Sequence, residues 1–138
     1  MTANRDIVAR AFADWSAGTG AISDIFAPRM RWEVVGNSVV AGTYHSADDF
    51  LTQAMRPFNA RFDPDSPYRP VNLRAIYEDA DANTVVAVFD GAGVTRDGST
   101  YENTYAWILT FSDGKVVDGT AFFDSLAFNE LWKTPPAA

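Results

Sequence analysis

The order of apolar patterns along this chain predicts an α+β fold. Helical spacing dominates the first part, strand alternation fills the last part, and aromatic residues run through both. Helices gathered early and strands late put the helices on one face of a curved antiparallel sheet. A curved sheet covered in that way encloses a pocket. Aromatic residues are 14% of the 138-residue chain, with four Trp, five Tyr and ten Phe. At this density they must fill a core, line that pocket or form an interface. The length is one domain's worth and buries a core without covalent staples.

Ile7, Val8, Ala11, Phe12 and Trp15 fall on one helix face, with Asn4 as a cap and Gly18-Thr19-Gly20 as the stop. Ile22, Ile25 and Phe26 suit a short second helix before Pro28. Met30 to Val35 reads as a strand, Gly36-Asn37-Ser38 as a turn, and Val39 to Tyr44 as the returning strand. Ser46 followed by Asp49 resembles a capping box and opens a third helix, carrying Phe50, Leu51, Ala54, Met55 and Phe58. Pro57 is expected to kink or end that helix. After a Pro-rich loop, strands are predicted over Val71 to Glu78, Thr84 to Thr95, Tyr101 to Phe111 and Lys115 to Asp124. Gly91 and Gly93 suit a bend in the second of these. Leu126, Phe128, Leu131 and Trp132 suit a short terminal helix or cover.

Several function classes are excluded. There is no cysteine, so disulfides, thiolate metal sites and cysteine nucleophiles drop out. The formal charge is −7, and no basic stretch relieves it. Such a surface repels phosphate backbones and anionic lipid, so neither nucleic acid nor a membrane is an expected partner. The longest apolar run, Val85 to Phe89, is far short of a membrane span. The start of the chain lacks a secretory apolar region, and cytoplasmic residence is the expectation. No dinucleotide fingerprint, phosphate-binding loop or nucleophile elbow occurs, so no cofactor is expected. His45 is the only histidine and makes no metal site by itself, so none is expected.

Some residues could carry chemistry. Asp124 ends the last predicted strand behind Phe122 and Phe123. A carboxylate desolvated by aromatic rings serves as a general acid or base near neutral pH. The competing role for Asp124 is to cap the helix that starts near Ser125. Asn103, Tyr105 and Trp107 share a strand face with Leu109 and Phe111. That face is either a pocket wall or a dimer interface. His45 could shuttle a proton beside Tyr44, or be a solvent-facing loop residue. Trp15, Trp32, Tyr44, Phe50, Met55 and Phe58 line the pocket or pack behind it.

Three stretches carry a family likeness: Trp32-Glu33 with Ala41-Gly42-Thr43-Tyr44-His45, Phe89-Asp90-Gly91 with Tyr101 to Trp107, and Asp113 to Val117 running into Phe122 to Leu126. On these the chain resembles the SnoaL-like group of the NTF2-like superfamily, with its polyketide cyclases and ketosteroid isomerase relatives. The resemblance implies an NTF2-like cone over residues 1–133 and a homodimer through the outer sheet face, and Thr134-Pro135-Pro136-Ala137-Ala138 reads as a flexible tail. It implies proton-transfer chemistry of isomerase, cyclase or dehydratase type on a small, largely apolar cyclic compound. Asp124 would be the acid/base and Glu33 a second carboxylate, in the place where ketosteroid isomerase relatives carry their base. Asn103, Tyr105 and Tyr44 would orient a carbonyl or hydroxyl, with Trp15, Trp32, Phe58, Trp107 and Phe122 around the ring. The helix-1 tyrosine of ketosteroid isomerase has no counterpart among Ala11, Phe12 and Trp15. The other reading is a non-catalytic small-molecule-binding dimer of the same fold.

Overall fold

A computed structural model describes residues 3–137. Helix α1 (Asn4–Ala17) leads to a 3-10 turn (Ile22–Ile25) and strand β1 (Phe26–Val34). Strand β2 (Gly42–Tyr44) follows, then one helical run of α2 (Ala47–Phe50), a π segment (Leu51–Met55) and α3 (Arg56–Asn59). Strands β3 (Arg69–Asp79), β4 (Thr84–Val94), β5 (Thr100–Ser112) and β6 (Lys115–Phe123) come next, and helix α4 (Ser125–Leu131) closes the series. The six strands form one curved sheet in the order β2-β1-β6-β5-β4-β3. The α+β architecture with helices over one sheet face is the predicted one.

One pairing departs from the all-antiparallel expectation. β1 runs parallel to β6, with Trp32 opposite Gly119. The two strands lie at opposite ends of the sequence, and apolar alternation carries no strand direction when no hairpin joins the partners. β1 also begins earlier than expected, at Phe26. Pro28 sits where its register shifts, between Phe26 and Arg31, and such an irregularity tolerates a missing N–H.

Local chemistry explains most boundaries. Val8, Ala11 and Phe12 form the buried side of α1. Asn4 is its first residue, not its cap; Ala3 holds that place without a side-chain bond. Gly18 ends the helix at φ 75°, a left-handed conformation open to a residue without Cβ. Ser46 Oγ accepts from the Asp49 N–H at 3.0 Å, so the predicted cap is in place. Pro57 does not end the run. The turn before it widens, and the Arg56 N–H reaches back to the Leu51 carbonyl. Pro57 then falls in the first turn of α3, where its missing N–H is harmless.

The return strand is shorter than predicted because side chains of α4 hold its first part. Asn129 Oδ1 accepts from the Val39 N–H at 2.8 Å, and Ser125 Oγ accepts from the Asn37 N–H at 3.2 Å. Of the segment expected as a flexible tail, residue 138 lies outside the described residues, while Thr134 and Ala137 bond to the body of the domain. Thr134 Oγ1 donates to Asp97 at 2.9 Å, and the Ala137 N–H donates to the Ala60 carbonyl at 2.8 Å. The core lies between the concave sheet face and the helices, with Phe12, Met30, Trp32, Phe89 and Leu109 fully buried. Among the described residues no helix is long and apolar enough to cross a membrane.

Candidate functional site

The concave face holds a cavity. β5 contributes Tyr105 and Trp107, β6 contributes Ala121 and Phe123, and β1 contributes Trp32 and Val34. From the helical side come Trp15, Phe50, Ala54, Met55, Phe58 and Phe128, with Val40 and Tyr68 from loops. The cavity between these walls has a volume of about 50 Å³. Its surface is almost entirely carbon.

The strand period builds the wall. Tyr101, Asn103, Tyr105, Trp107, Leu109 and Phe111 are the buried set of β5, the face the sequence singles out. Rings then lock one another: Trp15 stacks on Trp107 at 5.8 Å, Trp32 on Phe50 at 4.7 Å, and Phe89 on Tyr105 at 4.9 Å between centroids. Glycines make room for them. A Cβ on Gly119 would lie 2.2 Å from the Trp32 ring, and one on Gly91 would lie 2.0 Å from the Tyr68 hydroxyl. Gly91 therefore serves as space for Tyr68 at least as much as a bend. The π segment places Ala54 and Met55 on the wall, in keeping with the frequent use of wide turns at binding sites.

Behind the wall runs a polar network. Tyr101 and Tyr105 share a hydroxyl hydrogen bond of 2.6 Å. Asn103 Nδ2 donates to the Tyr101 hydroxyl at 2.9 Å and to the Asp124 carbonyl at 3.0 Å. Its Oδ1 accepts from the Asp124 N–H at 3.2 Å. Burial pushes the Tyr101 hydroxyl up to about 12, against the opposing bonds from Tyr105 and Asn103. Burial likewise raises Tyr68 and Tyr105 well above the ordinary range. All three phenols are neutral donors at physiological pH.

The sequence-predicted residues divide sharply. Trp15, Trp32, Phe58, Tyr105 and Trp107 stand on the cavity wall. Asn103 is buried in the network behind it. Tyr44 is half-buried, with its hydroxyl donating to the Val40 carbonyl at 2.6 Å. Phe122 is a correction: it is 43% exposed on the outer sheet face, and its neighbour Phe123 takes the wall position. The strand's alternation leaves only one of two adjacent aromatics facing inward.

The three predicted acid–base residues lie off the wall. Asp124 is exposed, and its carboxylate caps α4 by accepting from the Leu126 N–H at 2.9 Å. It borders a groove shared with Arg74, Asp90 and Glu102. Glu33 faces outward beside Arg31 at 3.4 Å. His45 is exposed. Among the described residues no three His, Asp or Glu side chains converge as a metal cluster would require. Val34, Val40, Tyr68, Ala121, Phe123 and Phe128 complete the wall without having been singled out as site residues. Tyr68 sits in a Pro-rich loop with no periodicity to assign it a face.

Comparison with known proteins agrees with this geometry. The SnoaL-like domain matches residues 8–119. An NTF2-like protein from Burkholderia thailandensis E264 is 26% identical, with a TM-score of 0.74 over 95% of this chain and 98% of that one. TerC, co-crystallised with polyporic acid, is 18% identical with a TM-score of 0.72, over 96% of this chain and 99% of its own. A protein with a ketosteroid isomerase-like fold from Catenulispora acidiphila DSM 44928, in complex with trimethylamine, is 12% identical with a TM-score of 0.67, over 94% of each chain. No curated protein matches the sequence.

Proposed function

The chain belongs to the SnoaL-like domain family, and from that premise we propose that its cavity binds a small, largely apolar ring compound. The carrying observation is a carbon-lined void walled by Trp15, Trp32, Trp107 and Phe50. Stacked and edge-on rings offer another ring favourable aromatic contacts. No carboxylate or imidazole belongs to that wall among the described residues, which favours binding as the primary role. The reading invokes neither metal nor cofactor. Three wall indoles make tryptophan emission the direct assay: a panel of naphthalene, tetralin, tetralone and cyclic enones should change it saturably. Saturable binding should vanish when Ala54→Phe fills the void. A panel in which no compound shifts emission or melting temperature refutes the reading.

A second reading adds isomerase-, cyclase- or dehydratase-type proton transfer, with Asp124 as acid/base and with His45 and Glu33 as further candidates. One observation favours it. Asn103 joins the Asp124 backbone to the Tyr101 hydroxyl, and the Asp124 charge lies near enough to help raise Tyr101. If Asp124 transfers the proton, Asp124→Asn should cost about 10²–10⁴-fold in turnover. Asn is an equally good cap, so full activity of that variant on any substrate the parent converts would end the idea.

We also place a second copy of the chain on the outer sheet face. There Tyr77, Val86 and Ile108 form one cross-strand row, and Ala75, Val88, Ala106 and Phe122 another. Sedimentation equilibrium at micromolar concentration should give twice the chain mass; a single-chain species alone would refute this assembly.

A further inference from the structure

A cavity of about 50 Å³ is smaller than the roughly 150 Å³ that takes up benzene. A ring compound therefore needs part of the wall to give way. The sheet side is fixed, because Trp32, Trp107 and Ala121 stand on strands paired along both edges. On the helical side, α1 is tied to β3. Arg5 Nη1 donates to the Ile76 carbonyl at 3.2 Å, and the Ser16 hydroxyl donates to the Pro70 carbonyl at 2.8 Å. The helical run over 47–59 lies between β2 and the bridge that pairs Phe62 with Thr95.

Helix α4 is fastened differently. Its root is firm: Asn103 accepts from the Asp124 N–H at 3.2 Å and donates to the Asp124 carbonyl at 3.0 Å. Beyond the root, the side chains of Ser125 and Asn129 reach the loop over 37–39, not a strand. Residues 132–137 then return over the domain and are held at three points. The Arg61 guanidinium lies 3.8 Å from the Trp132 ring, Thr134 Oγ1 donates to Asp97 at 2.9 Å, and the Ala137 N–H donates to the Ala60 carbonyl at 2.8 Å. Arg61 is 7% exposed and forms no ion pair among the described residues. A buried cation without a carboxylate needs another partner, and the face of Trp132 supplies one.

These fastenings lead to the cavity. Trp132 stacks on Phe128 at 5.3 Å and 23°, and Phe128 stacks on Phe58 at 5.5 Å and 9°. Both phenylalanines line the cavity. Arg61, Trp132 and Phe128 thus form one pile whose inner end is the cavity roof. Resting on the cavity reading above, we propose that α4 and residues 132–137 form a lid, hinged at Asp124 and latched by Arg61 on Trp132 and by Asp97 on Thr134, which lifts to let a ring compound in and out. Lifting carries Phe128 away and leaves the sheet wall in place. The latch holds the lid down with or without a ligand, so weakening it speeds entry and exit together and leaves their ratio alone.

The test follows 1-tetralone by tryptophan emission in stopped flow. Thr134→Val removes the latch hydroxyl and nothing from the cavity wall. Association and dissociation rates should both rise about fivefold, with their ratio unchanged. A second protein carries Ala60→Cys and Ala137→Cys, at positions whose backbones already meet. The chain has no cysteine of its own, so oxidation makes one disulfide and pins the lid. The oxidised form should take up tetralone far more slowly, and reduction should restore the wild-type rate. Unchanged rates in Thr134→Val, a changed ratio of the two rates, or an oxidised staple as quick as its reduced form overturns the lid. Either protein decides the matter where the other does not fold or does not close its disulfide. A wild type that binds no tetralone removes the cavity reading and the lid with it, whereas failure of the lid alone leaves tetralone binding intact.

Discussion

The two faces of β5 are made from alternate residues of one strand, yet they serve opposite ends. Tyr101, Tyr105, Trp107 and Leu109 face the helices and are buried, while Thr104, Ala106, Ile108 and Thr110 face outward and are half-buried or exposed. On the inner face aromatic rings hold one another, and the Tyr101, Asn103 and Tyr105 side chains join in a hydrogen-bonded network. On the outer face an apolar middle is flanked by polar clusters. Asp90 accepts from Thr104 at 2.6 Å, Arg74 at 3.0 Å and Asn72 at 3.1 Å. At the other side Arg31 pairs with Asp118 at 3.0 Å. The difference teaches where stability resides: the inner face carries the packed rings, and the outer face carries side chains that solvent reaches.

The largest test of that division is Trp107→Ala, which removes an inner ring touching Phe12, Trp15, Trp32 and Phe89. Denaturant unfolding should show a loss of about 3–5 kcal/mol. Gly119→Ala attacks the same face from the backbone side, because its Cβ would meet a locked Trp32 ring. Overpacking of this kind should cost about 1–3 kcal/mol, and thermal unfolding would register it. At the rim, Asp124→Ala removes the cap of α4 and should cost about 1 kcal/mol, whereas Asp124→Asn should cost little. On the outer face, Ile108→Thr should leave a single chain's stability within about 0.5 kcal/mol while weakening self-association in sedimentation. Equal losses for Trp107→Ala and an outer-face truncation such as Ile108→Ala would erase the contrast.

The smallest effect is a pH slope. The Asp90 carboxyl is held at about 2, below its ordinary 3.8, first by the Arg74 hydrogen bond and then by Thr104 and Asn72. A depressed folded-state value favours the folded chain above the ordinary value, and the benefit fades as pH falls from 3.8 through about 2. Asp90→Asn should therefore flatten the acid limb of the melting-temperature profile. An unchanged limb would mean that the outer polar cluster contributes nothing to folding.

Periodicity made much of this architecture legible. The inner set of β5 follows from its two-residue alternation, the buried side of α1 from Val8, Ala11 and Phe12, and the start of α2 from Ser46 and Asp49. Trp15, Trp32, Phe58, Tyr105 and Trp107 were readable as wall residues for the same reason. Phe122 was not, because adjacent aromatics at a strand end look alike until a register assigns one of them inward. Tyr68 and Val40 were invisible in loops without a period. Asp124 was readable both as a reactive carboxylate and as a cap; its bond to the Leu126 N–H is the cap, and only the fold places the carboxylate off the cavity wall.

The sequence alone determined the α+β order, the aromatic inner face and the family likeness, since each depends on neighbours within a few residues. Tertiary structure decided that β1 runs parallel to β6, that Gly119 and Gly91 give way to Trp32 and Tyr68, and that the acid–base candidates stand away from the cavity. Only there does the Trp32 N–H prove to lack a partner among the described residues. These outcomes depend on strands and loops brought together from distant parts of the chain. Local pattern sets which side chains seek burial, but the three-dimensional arrangement sets which partner each one meets there.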